Sequence, residues 1–207
     1  MDITIVGTGN MARGIATRAL AGNHSVTLLG TDAAKAEALA GGLSGNVRAG
    51  RVGDPLVGDV VVLAVWYAAV DDILNRYGDQ LDGKVVVDIT NPIDVDAFEP
   101  LKLEAGSAAQ EIAAKAPGAR VVKAFNTTFA GTLVDGRVAG QPLDVFMASD
   151  DDDAKETVSR IVTDAGLRPI DVGPLRRARE LEALGYLHMA VQQPLGTGFS
   201  SAVRILA

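Results

Sequence analysis

Short runs of β-branched and apolar residues alternate along this chain with longer stretches whose apolar positions recur every three or four residues. Residues 2–6 (DITIV) are the first such run, and a glycine-rich turn follows at once. Residues 11–21 are alanine-rich and helix-prone, ending near Gly22, a usual helix stop. The pattern then predicts a strand at 25–29 (SVTLL), a helix at 33–39 stopped by Gly41 and Gly42, and a short strand at 47–49. Residues 59–65 (DVVVLAV) are almost continuously apolar, as expected of a strand covered on both faces. A helix at 69–76, a strand at 84–88 (KVVVD), a helix at 107–115 and a strand at 121–125 follow. Ser107 and Gln110 have the spacing of a capping box. Further on, the pattern predicts a strand at 143–148, a helix at 154–165 closed by Gly166, and a strand at 168–172. A long helix at 176–192 should end at Pro194, and a short helix at 199–206 should complete the chain.

Such alternation predicts an α/β fold, a Rossmann-type doubly wound and mainly parallel sheet. Residues 1–173 read as a dinucleotide-binding domain, and the strandless residues 174–207 as a C-terminal helical appendage. The appended helix carries Leu181, Leu184, Leu187, Ala190 and Val191 in an apolar stripe, which must be buried somewhere. With Pro194, Gly196 and Gly198 bending the segment, a homodimer is expected whose acceptor pocket this segment completes.

Composition narrows the function. Hydrophobic residues make up 48% of the 207 and charged residues 22%, enough for a folded core. The net charge is −7 and aromatics are only 4%; with no basic stripe, nucleic acid is not an expected partner. Cysteine is absent, which excludes disulfides, thiolate zinc sites and cysteine nucleophiles. No apolar run approaches the ~18 residues needed to span a bilayer. The first strand begins without a basic and apolar leader, so a cytoplasmic protein is expected. The acidic run Asp150, Asp151, Asp152 and Asp153 reads as the start of a helix, and no metal site is expected.

The strongest chemical signal is the turn after the first strand. Gly7, Gly9 and Ala12 match the relaxed dinucleotide fingerprint, with Thr8, Asn10 and Met11 between and beside them. Gly7 allows the tight turn, Gly9 the approach of a pyrophosphate, and a small residue at 12 the close packing of helix on sheet. The pyrophosphate would sit on the helix N-terminus. The acidic residue that ends the second strand in NAD-selective enzymes is replaced by Gly30. Thr31 and Lys35 could meet a 2′-phosphate there. Asp32 would oppose one, or is simply the cap of the following helix. NADP(H) is the expected nucleotide.

Other candidates lie where strands end, the usual ligand edge of an open α/β sheet. Trp66, the single tryptophan, follows the fourth strand and either faces a ligand or packs a helix. Asn91 with Pro92, and Asn126, occupy similar positions as turn residues or amide donors. Of the two histidines, His24 reads as structural and His188 as packed and hydrogen-bonded. No side chain is expected to be catalytic, because hydride transfer needs positioning above all.

Four segments together resemble one family: ITIVGTGNMARGIATRALAGNHSVTLLG, VVVLAVWYAAVDDIL, VVKAFNTTFAGTL and DVFMASDDDDAKETVSRIVTDAGLRPIDVGPLRRARELEALG. They are similar to the NADPH-dependent reductases of the deazaflavin coenzyme F420, across essentially the whole chain. The resemblance implies hydride transfer between NADP(H) and coenzyme F420 as co-substrate. It implies that Thr8, Gly9, Asn10 and Met11 hold pyrophosphate and ribose, and that Ala64, Val65 and Trp66 line the nucleotide. It places Asn91, Pro92, Ala124, Phe125 and Asn126 beside the nicotinamide and the second cofactor, and residues 184–198 over that pocket and in a dimer. The chain departs from the family where Gly30, Thr31 and Asp32 replace a serine and arginines, and where Asn126 replaces a frequent histidine.

Overall fold

The computed structural model describes residues 1–206. From the N-terminus the chain forms β1 (Asp2–Val6), α1 (Asn10–Ala21), β2 (Ser25–Gly30), α2 (Ala33–Gly41), β3 (Val47–Arg51), β4 (Val60–Leu63), α3 (Val70–Tyr77) and β5 (Val85–Asp88). A small ribbon, β6 (Ile93–Asp94) with β7 (Glu99–Pro100), precedes α4 (Ala108–Lys115) and β8 (Arg120–Lys123). Next come α5 (Ala130–Asp135), the hairpin β9 (Arg137–Val138) and β10 (Gln141–Pro142), then β11 (Asp144–Met147), α6 (Asp152–Asp164) and β12 (Arg168–Asp171). The described chain closes with α7 (Ala178–Ala190) and α8 (Gln192–Leu195).

Six strands make the central sheet in the order β3-β2-β1-β4-β5-β8, and every pair is parallel. This is the doubly wound α/β arrangement expected of alternating strands and helices. Successive side chains of a strand face opposite sides, and the core divides accordingly. Ile3, Ile5, Val26, Leu28, Val60 and Val62 pack against α1 and α6 on one face. Val6, Leu29, Val61, Leu63 and Val86 pack against α3 and α4 on the other. The helix starts follow local chemistry: Ser107 Oγ accepts from Gln110 N at 3.2 Å, Asp32 from Ala34 N at 3.0 Å, and Asp151 from Ala154 N at 2.8 Å. Asp151 also holds Arg120 through two bonds of 2.7 and 2.9 Å, so part of the acidic run serves a cap and an ion pair.

Four expectations change. β11 and β12 pair parallel with each other rather than joining the central sheet. They meet it through a single antiparallel bridge, Lys123 to Ala148. A short helix and a hairpin, and no crossover helix, connect β8 to β11, so the chain returns in the opposite direction. The predicted strand at 121–125 ends at Lys123, because Phe125 turns away with φ +61°. The helix expected over 176–192 is interrupted at Val191, and Pro194 lies inside α8. A proline ring crowds the carbonyl four residues earlier, here Ala190, where α7 stops. The helix expected at 199–206 is absent. Phe199 has φ +62°, and the tail is bonded sideways: Ile205 N donates to Asp144 Oδ2 at 2.8 Å and Arg204 donates to the Pro142 carbonyl.

Candidate active site

A cavity of about 920 Å³ runs along the carboxyl edge of the sheet, at the upper end of the range for ligand pockets. One end is the turn between β1 and α1, where Gly7, Thr8, Gly9, Asn10 and Met11 form the wall. Gly7 has φ +125°, and a Cβ there would lie 2.1 Å from the Ala64 carbonyl oxygen, so only glycine fits. Gly9 is the opposite case. A Cβ built on it meets nothing within 4 Å and would enter open space. Gly9 caps α1 without a side-chain bond, and the first turn of α1 carries no acidic residue. The amides there are unpaired donors at the positive end of a helix, a site suited to an anion. Ala12 is fully buried, and Gly14 sits where a Cβ would strike Leu133 and Ala130. Small residues thus bring α1 close to the sheet and to α5.

The middle of the cavity is lined by Thr31, Val52, Ala64, Val65, Trp66, Tyr67, Ala69 and Ile73. Trp66 is 73% exposed and stands in the mouth rather than between helix and sheet. A Cβ at Gly30 would lie 2.8 Å from Thr8 Cγ2 and 2.9 Å from the Asp32 carbonyl. The end of β2 therefore has no room for a carboxylate side chain.

The far end is built of Ile89, Thr90, Asn91, Ile93, Asn126, Thr128, Phe129, Ala130, Gly131, Met189 and Phe199. Asn91 Nδ2 donates to the Asn126 carbonyl at 2.9 Å, and Asn126 Nδ2 donates to Asn91 Oδ1 at 2.9 Å and to the Leu181 carbonyl of α7 at 2.8 Å. Asn126 Oδ1 and Thr90 Oγ1 are buried and have no partner among the described residues. Unpaired buried polar atoms are costly, and both belong to residues of the cavity wall. Helix α7 passes directly above the two asparagines because residue 185 is glycine: a Cβ there would lie 2.7 Å from Asn91 Oδ1 and 2.9 Å from the Asn126 carbonyl oxygen.

Behind this wall lies a buried charge cluster. Lys123 Nζ donates to Asp88 Oδ2 at 2.8 Å, Glu182 Oε1 at 2.7 Å and the Thr90 carbonyl at 2.5 Å. Lys123 and Asp88 are wholly buried. Glu182 also accepts from Ala108 N, the first amide of α4. Burial pushes the Glu182 carboxyl up, against the attraction of Lys123.

A second network holds the chain after α7. His188 stacks on Phe129 with ring centroids 4.2 Å apart, and Phe199 meets Phe129 edge-on at 5.1 Å. The neutral imidazole fits one direction of donation. Nδ1–H donates to the Thr127 carbonyl (3.1 Å), and Ser201 donates to Nε2 (2.9 Å). Gln192 Nε2 donates to Ser201 Oγ (2.8 Å), and Thr197 donates to Gln192 Oε1 (2.5 Å). Burial lowers the His188 pKa, which keeps the ring neutral at neutral pH.

No Asp, Glu, Lys, Arg or His side chain lines the cavity among the described residues. The site offers shape, amides, hydroxyls and aromatic surface, and the Tyr67 phenol in its wall donates to Glu111 Oε2 at 2.6 Å.

The matching family model is "NADP oxidoreductase coenzyme F420-dependent", over residues 2–92. Over 202 residues the chain is 32% identical to the F420-dependent NADP reductase of Methanothermobacter thermautotrophicus, covering 89% of this chain and 86% of that protein. This chain belongs to the F420-dependent NADP reductase family. It is also 32% identical over 183 residues to the rat metalloreductase STEAP3, where it covers 88% of this chain but spans only 36% of the longer protein. A solved structure of a candidate F420-dependent NADP reductase from Arthrobacter sp. FB24 shares the fold at TM-score 0.87 and 28% identity, over 99% of both chains.

Against this family background, the expected site residues divide. Gly7, Thr8, Gly9, Asn10, Met11, Thr31, Ala64, Val65, Trp66, Asn91 and Asn126 come together around one cavity. Asp32, Lys35, Pro92 and Ala124 do not line it. Asp32 caps α2, Ala124 is fully buried core, Pro92 is buried beside Asn91, and Lys35 lies exposed on α2. Sequence reasoning missed Thr90, Phe129, Met189 and Phe199, and the whole Lys123 cluster. The sequence held one signal for the cluster, a lysine closing the apolar strand RVVK.

Proposed function

We propose that this chain transfers a hydride between NADP(H) and coenzyme F420. The observation that carries this reading is one continuous, elongated cavity, with a backbone anion cradle at one end and an uncharged, partly aromatic wall at the other. The cradle suits the pyrophosphate, and the lack of space at Gly30 suits a nucleotide that brings no free ribose diol for a carboxylate to hold. The unpartnered Asn126 Oδ1 and Thr90 Oγ1 suit the carboxamide of a nicotinamide.

When bound, the dinucleotide supplies the hydride. The protein contributes alignment and exclusion of water. The amides at the start of α1 hold the phosphates, the Asn91 and Asn126 pair fixes the floor under the nicotinamide, and Phe199, Met189 and Trp66 shape the space for a flat acceptor. On this reading residues 174–207 form the appendage that closes the acceptor end. The apolar stripe expected on α7 is split: Leu181 is buried, whereas Leu187 is 57% exposed and Leu195 on α8 66% exposed. These outward residues are the proposed homodimer face. Among the described residues no helix is long and apolar enough to cross a membrane.

The test is anaerobic turnover of NADPH with oxidised F420, followed by loss of deazaflavin absorbance. Parallel reactions contain a flavin or a cyclic imine instead. Turnover with F420 alone supports the proposal; turnover only with another acceptor, or NADPH binding with no turnover at all, overturns it.

A further inference from the structure

Among the described residues no charged side chain lines the cavity, and a cation is the natural partner of a 2′-phosphate. The cation must therefore stand at the rim beside Thr31. Charged residues near the ends of β2 and β3 include Asp32, Lys35, Arg51 and Asp54. The Asp32 carboxylate is occupied by the amide of Ala34. Lys35 projects from the first turn of α2. Arg51 is the last residue of β3, and its register partner on β2 is Gly30.

Register partners on parallel strands present their side chains to the same face. Gly30 has no side chain and Thr8 closes over it, so the register places Arg51 beside the wall that Thr8 and Thr31 form at the strand end. The following residue, Val52, donates its amide to the Gly30 carbonyl at 2.9 Å and lines the cavity, as does Thr31. Arg51 is exposed. Its backbone amide is tied to Asp54 Oδ2 at 2.7 Å, which fixes the strand end. Among the described residues its guanidinium has neither an ion pair nor a hydrogen bond.

We infer that Arg51 is the residue that recognises the 2′-phosphate of NADP(H), replacing the cations that the loop after β2 lacks. A guanidinium beside Gly30 and the Thr31 hydroxyl forms a fork suited to a phosphate dianion. The Asp32 carboxylate keeps its charge but is held on the start of its helix by the Ala34 amide.

This inference rests on the dinucleotide reading above, and the experiment separates the two. Binding of 2′,5′-ADP, 5′-AMP and NADPH is measured by calorimetry for the parent protein, Arg51→Gln and Lys35→Gln. The parent should prefer 2′,5′-ADP. Arg51→Gln should weaken 2′,5′-ADP by about 10- to 100-fold, while 5′-AMP stays within about 2-fold. Arg51→Lys should restore part of the loss. If Arg51→Gln leaves the ratio unchanged, or Lys35→Gln takes the whole effect, the assignment of Arg51 is wrong while the nucleotide site stands. A parent that binds both fragments equally also refutes it. A parent that binds none of the three ligands refutes the dinucleotide reading itself.

Discussion

The two ends of the cavity are built on different principles. The nucleotide end works through backbone: a glycine turn, free amides and a helix terminus, all within residues 7–14. The acceptor end works through buried side chains drawn from β5, β8, the loops after them, α7 and the tail, knitted by Lys123, the Asn91 and Asn126 pair, and His188. At the first end, ligand affinity and fold stability are nearly independent. At the second they are the same bonds.

That contrast can be broken most sharply at Lys123. Lys123→Ala would leave Asp88 and Glu182 as buried carboxylates without their cation, a loss of about 3–5 kcal/mol in unfolding free energy. Urea denaturation reads it, and a change below about 1 kcal/mol would show that the cluster is dispensable. Gly9→Val should do the reverse. Its side chain enters open space, so the denaturation midpoint should hold, while NADPH affinity falls by about 100-fold or more because the pyrophosphate's place is filled. Loss of stability in place of affinity would erase the distinction between the two ends.

Gly185→Ala comes next. Relief of a helix glycine favours the variant by up to ~1 kcal/mol, but the new Cβ meets the Asn91 amide, and such overpacking costs about 1–3 kcal/mol. A net destabilisation is expected, with the acceptor Michaelis constant rising more than that for NADPH. The smallest effect concerns pH. His188 is held neutral by burial, so its folded pKa lies below its unfolded one. Its contribution is complete above the ordinary imidazole value of 6.5 and is lost as pH falls below that value and through the lower folded pKa. Its ring faces the Thr127 carbonyl, Ser201 and Phe129. The parent should lose more stability between pH 7.5 and 5.5 than His188→Gln does. Equal losses would place the acid sensitivity elsewhere, for example at His24, whose pKa burial also lowers.

The same division explains what could be read from the chain. The parallel sheet and the cradle were legible because their signals are local: apolar runs of four or five residues, Gly7 and Gly9 after a strand, Ser107 before a helix. The acceptor wall was not, because nothing in sequence links Glu182 to Lys123, or Gln192 to Thr197 and Ser201, until the chain has folded. Pattern also failed where tertiary bonds override it. The tail at 199–206 is tied to Pro142, Asp144 and Arg168 instead of bonding to itself as a helix. The stripe on α7 was misjudged for a related reason. The buried face runs through Ala178, Leu181, Glu182, Gly185 and His188, and two of these five are polar.

The contact of Gly185 with the two asparagines has a consequence for how this protein can vary. A side chain at 185 requires the Asn91 amide to leave, and without Asn91 the Asn126 amide loses a partner. Effects at residues sharing one contact do not add. The three positions therefore form one unit of substitution: a library that varies them singly will record three defects, and only joint replacement can reach a differently shaped pocket.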